Sequence, residues 1–116
     1  MNGTANPKVK PLPAESHVPG VVLRQADFAG LGAGVTPFRG GLFTVAPQCT
    51  SRPDKHAVRE CWMIANGGGV LEYQGSKLRV EQGDVLLFEP HHQHQIHNDG
   101  VQPLVISTVW WNVHAG

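Results

Sequence analysis

A chain of 116 residues has room for one hydrophobic core and not for two. Nine basic and nine acidic side chains leave a formal net charge of zero, so no basic face recommends nucleic acid and no acidic tract a basic partner. Charged residues make up 16% while fourteen glycines and nine prolines punctuate the chain, and no run approaches the roughly 18 apolar residues of a membrane span.

Residues 1–20 carry four prolines and few large apolar side chains, which predicts an extended or disordered arm ahead of a single domain over 21–116. The arm has no apolar stretch of the kind a signal peptide needs, and a cytoplasmic location is expected. Val21-Val22-Leu23 reads as a first strand, Ala29 to Gly41 as a glycine-rich loop, and Leu42 to Ala46 as a second strand. The run from His56 to Ile64 has strand character, with His56, Val58, Glu60, Trp62 and Ile64 on one face. Asn66 to Gly69 supplies a turn, and Val70 to Tyr73, Gln74-Gly75-Ser76 and Lys77 to Val80 form a hairpin. Val85 to Phe88, Gln93 to Asn98 and Leu104 to Val113 complete about eight strands with no amphipathic helix. That is the pattern of an all-β sandwich or barrel.

Histidine is the one excess: five of the seven lie between His56 and His97. Cys49 and Cys61 match no metal-binding spacing and read as reduced thiols. The residues that carry chemistry run D-x-H-x3-E-x6-G from Asp54 to Gly67, then G-D-V-L-L-F-E-P-H-H-Q-H-x3-N from Gly83 to Asn98. This resembles the two motifs of the cupins, G-x5-H-x-H-x3-4-E-x6-G and G-x5-P-x-G-x2-H-x3-N. His56, Glu60, Gly67, Gly83, His94 and Asn98 match, and Pro90 is shifted by one position. Asp54 stands where the family has its first histidine, and His91 where it usually has glycine.

The resemblance implies a single-domain cupin double-stranded β-helix, a jelly-roll barrel, with one divalent metal ion held inside by His56, Glu60 and His94. Two imidazoles and a carboxylate form the triad associated with non-haem Fe(II), and the same donors accept Zn(II) or Mn(II). Asp54 or His92 is the candidate fourth ligand or general base. His91 and His97 read as loop or outward residues, and His17 and His114, near the termini, are given no role. Phe43, Trp62, Phe88 and one C-terminal tryptophan, Trp111, are expected to wall the substrate cavity. Adjacent strand residues face opposite ways, so the sequence leaves the choice between Trp110 and Trp111 open.

The implied function is that of a metal-dependent small-molecule enzyme of biosynthetic tailoring or catabolism. It would be an Fe(II) oxygenase or a zinc or manganese lyase, isomerase or cyclase. The alternative is a non-catalytic metal- or ligand-binding sensing module. A homodimer is also expected, because Val85 to Phe88 and Val109 to Trp111 are apolar on both faces and one barrel has one interior. Val18, Val21 and Leu23 of the arm and adjoining strand are the expected contributors to a neighbour's sheet edge.

Overall fold

The computed structural model describes residues 6–113, so the first five residues of the expected arm and His114 lie outside the described residues. Within the arm, β1 (Glu15–Val18) turns back through Pro19-Gly20 onto β2 (Val21–Gln25), and Val18 faces Val21 across the turn. Gly20 has φ 77°, the left-handed conformation in which a Pro-Gly turn places its glycine. Farther out, Pro11 bridges to Ala26. The arm is therefore extended, and from Pro11 onward it lies along its own sheet, where β1 is an edge strand. β1 escapes a periodicity reading because Glu15, Ser16 and His17 are all exposed.

A 3-10 turn at Ala29–Leu31 leads to β3 (Arg39–Val45), which begins inside the stretch expected to be loop. Gly41 pairs with Gln25, and a Cβ there would collide with the Arg24 carbonyl. In this strand glycine marks a close approach of two backbones and not a break. The remaining strands are β4 (Arg59–Asn66), β5 (Gly68–Tyr73), β6 (Ser76–Glu81), β7 (Val85–Phe88), β8 (His94–His97) and β9 (Leu104–Trp111). β4 starts three residues later than expected, so His56 precedes it.

The strands form an antiparallel jelly roll of two sheets, one ordered β1-β2-β3-β9-β4-β7 and the other β6-β5-β8. Inward side chains follow the period of two: Leu104, Ile106 and Thr108 on β9 are buried, as are Trp62 and Ile64 on β4. They meet Leu71, Val80 and Ile96 of the smaller sheet in a single core. The other face of the larger sheet is also apolar. Val85, Met63, Ser107 and Leu42 lie in one register row, and Leu87, Cys61 and Val109 in the next. Val85, Leu87, Leu42 and Met63 are between 46% and 65% exposed, so this face is left uncovered among the described residues. Among the described residues, no helix is long and apolar enough to cross a membrane.

Candidate metal centre

Three segments converge at one end of the core. The first is residues 51–54, which are clamped to β8 along their length. Ser51 donates its N–H to Ile96 O and accepts the Ile96 N–H on Oγ, and Asp54 and His94 exchange both backbone bonds at 3.0 Å. This places Asp54 directly across from His94. The chain then bends at Ala57-Val58 before entering β4. His56 and Glu60 are thus not on one strand, as their spacing suggests. They reach the same site because the bend carries the chain from the smaller sheet to the larger.

His56 is exposed, and its backbone is fixed by an unusual neighbour. The His91 N–H donates to His56 O at 2.6 Å, with His91 in the left-handed region at φ 63°. A conformation that glycine adopts freely explains why the family motif has glycine at this position. His91 therefore supports the site through its main chain.

His94 is the buried member, 4% exposed, with Phe88 stacked on its ring at 4.4 Å and Trp62 edge-on at 5.5 Å. Its Nε2 lies 3.4 Å from Glu60 Oε1. On the other carboxylate oxygen, Glu60 accepts hydrogen bonds from Thr108 Oγ1 at 2.6 Å and Trp62 Nε1 at 3.0 Å. Burial would push the Glu60 carboxyl up, but hydrogen bonds from His94, Thr108 and Trp62 outweigh it and hold the group below the ordinary glutamate range. Glu60 is a carboxylate held ready for a cation.

Donor atoms of Asp54, His56 and His94 all lie within 4.8 Å of one another. His94 Nδ1 is buried and has no hydrogen-bond partner among the described residues. An orphaned buried nitrogen is rare in a protein interior, and an ion shared by these donors would satisfy such an imidazole. Two imidazoles and a carboxylate, with no thiolate, suit a hard or borderline divalent ion. The residues present fit the implied metal: Asp54, His56 and His94 would hold it, and Glu60 lies 3.4 Å from His94 Nε2.

Three other expected residues take different places. His92 sits in the turn before β8, where its Nδ1 is hydrogen-bonded to the Tyr73 hydroxyl. It stands outside the donor cluster, because the parity that aligned it with His94 holds only inside a strand. Phe88 is 2% exposed and lies between the rings of His94 and Tyr73, so it backs the histidine and does not line the cavity. Trp111 pairs with Arg59 on the outer face, while Trp110 pairs with Glu60 and faces in.

The cavity above the donors holds about 280 Å³. Phe43 and Trp62 line it as expected, joined by Trp110, and β1 contributes Glu15, His17 and Val18 at the rim. The alternation of Leu104, Ile106 and Thr108 points to Trp110, but the valines at 105 and 109 blur it. Sequence reasoning also misses Arg52, whose Nε lies 3.3 Å from Asp54 Oδ1.

Comparison with known proteins agrees with this architecture. A Cupin 2 conserved barrel domain protein from Salinispora arenicola superposes with TM-score 0.69 at 27% identity, covering 78% of this chain and 76% of that one. A predicted oxalate decarboxylase from Thermotoga maritima gives 0.72 at 22% identity, covering 91% and 95%. KdgF from Halomonas sp. gives 0.69 at 17% identity, covering 88% of each chain. The Cupin_2 cupin-domain family model matches residues 41–111, from within β3 to the end of β9, and the chain belongs to that family.

Proposed function

We propose that this cupin is a metal-dependent enzyme acting on a small molecule, in biosynthetic tailoring or catabolism. One observation carries the reading: three potential donors, Asp54, His56 and His94, gather on the wall of a cavity of about 280 Å³ that Phe43, Trp62 and Trp110 also line. The fold by itself carries no activity. An ion such as Fe(II), Zn(II) or Mn(II), when bound, supplies a Lewis acid for a chelating substrate or a platform for oxygen. The chain's residues do the rest. Phe43, Trp62 and Trp110 hold an apolar body and exclude water around it. Thr108 and Trp62 keep Glu60 oriented and ionised. Asp54, part-exposed beside His56, is the group placed to take or hold a proton on its carboxylate.

The test is elemental analysis of protein purified without added metal, followed by oxygen-uptake and product screens on small chelating substrates. About one ion per chain together with turnover supports the enzyme. An ion with binding but no turnover identifies a sensing module instead. On a substrate so found, Asp54→Ala is expected to lower the rate about 100-fold while metal content falls less than twofold. Equal activity in that variant, at saturating metal, removes Asp54 from the chemistry.

We also propose that the outer face of the larger sheet seats a second copy of the chain. Apolar surface continuous over β7, β4, β9 and β3 is a contact face, and a twofold axis is its usual closed solution. Light scattering at low micromolar concentration is expected to give twice the 12.5 kDa chain mass, and half of that for a Met63→Glu, Leu87→Glu variant. A monomeric wild-type protein refutes the dimer.

A further inference from the structure

The charged residues around the cavity divide into two groups. Asp54 belongs to the donor cluster, Glu60 is bonded to Thr108 and Trp62, and Glu15 at the rim accepts from Gln25 Nε2 at 3.0 Å. Arg52 is the arginine among the lining residues, and no lysine is present there. Its Nε faces Asp54, but its two terminal nitrogens make no hydrogen bond among the described residues. The side chain is 52% exposed, in a lining that also holds Phe43, Trp62 and Trp110.

Arg52 is also well positioned by its backbone. Ser51, 6% exposed, is tied to β8 by both backbone groups and its hydroxyl, with its carbonyl accepting from Gln95 Nε2 at 2.9 Å. Pro53 follows, with its φ fixed by the ring, and Asp54 is bridged to His94. A guanidinium projecting from a segment clamped on both sides loses little backbone freedom on binding. Arg52 turns its Nε to Asp54, and the two terminal nitrogens are the donors it has left to offer a ligand. Its planar fork of donors matches a carboxylate.

On these grounds we infer that Arg52 selects a substrate carrying a carboxylate on a small flat apolar body. A cavity of about 280 Å³ has the volume of about nine waters at roughly 30 Å³ each, which limits that body to about one ring. Phe43 and Trp110 offer it aromatic faces while the carboxylate reaches Arg52. The inference rests on the metal-centre reading of the same cavity and names the class of molecule it accepts.

The experiment compares benzoate with its neutral isostere benzamide by calorimetry on the metal-loaded protein, with metal content measured on every sample. Wild-type protein is expected to bind benzoate about tenfold more tightly than benzamide, a usual margin for a charge-assisted hydrogen bond. Arg52→Gln is expected to lose that preference with benzamide affinity within about twofold of wild type, and Arg52→Lys to recover part of it. A metal-loaded wild type that binds both alike, or an Arg52→Gln protein that still prefers the acid, overturns the inference and leaves the metal centre standing. A chain that takes up no ion overturns the metal centre, and the anion preference with it.

Discussion

Replacing His94 with alanine is expected to reduce metal content from about one ion per chain to background. His94 is the ligand candidate from the smaller sheet, and it is the buried one. Its ring is fixed on one face by Phe88 and at its edge by Trp62, so its nitrogens are pre-aimed and little freedom is lost when an ion binds. Without it, His56 and Asp54 remain on an exposed segment and Glu60 stays across the gap, bonded to Thr108 and Trp62. Two donors on one flank and one opposite do not close a shell, and a loss of at least about 100-fold in affinity follows. The deletion also opens a void beside Phe88 that destabilises the fold by about 2 kcal/mol. His94→Gln, which keeps most of the volume, is therefore run alongside. Elemental analysis of folded protein, checked by circular dichroism, decides the matter: metal retained in both variants rules out His94 as a ligand.

The largest loss of stability is expected from Asn98→Ala. Asn98 is 1% exposed and its side chain makes three hydrogen bonds. Nδ2 donates to Val45 O at 2.9 Å and to Gln102 O at 2.8 Å, and Oδ1 accepts the Gly100 N–H at 2.9 Å. Its backbone ties down the 48–49 turn as well, donating to Cys49 O and accepting from the Gln48 N–H. One amide thus joins the end of β3, the turn after it and the β8–β9 connection. Alanine leaves two carbonyls and one N–H without this partner in a closed space, a loss of about 3 kcal/mol. For a domain of this size that lowers the melting temperature by roughly 12–20 °C. Thermal and urea unfolding read it directly, and a loss below about 1 kcal/mol would show that water or a local shift replaces the amide. Metal content per folded chain is expected to hold, because Asn98 does not touch the donors.

The family motifs made much of this fold legible from sequence. The strands from Leu42 to Trp111 fall close to where alternation places them, since each has one face against a core and one outside. Reading failed where alternation carries no signal. β1 is polar on both faces and is held by its turn and its neighbour. The start of β3 is glycine-rich because two backbones pass too close for a Cβ. The site was legible as residue types and spacing but not as geometry. Periodicity put His56 on the strand of Glu60, whereas an isolated bridge between Asp54 and His94 holds that segment against the opposite sheet. His92 and Trp111 were misplaced for related reasons. Parity was carried past the end of a strand in one case, and in the other valines on the outer face hid which tryptophan turns inward.

The place of β9 in the larger sheet sets the order in which the molecule can be completed. Among the described residues it is the last of nine strands, yet it lies between β3 and β4 and pairs with both. During synthesis, β1–β3 form one antiparallel piece and β4 with β7 another, each with a bare edge flanked by apolar side chains. Nothing joins the two until residues 104–111 have left the ribosome and slotted between them. For that interval the nascent chain offers two open strand edges to any neighbour, the condition under which β-rich chains aggregate or recruit chaperones. Closure by an insertion so late in the chain makes the sheet an all-or-none structure, in which a stalled or shortened product has no stable subset of strands to fall back on.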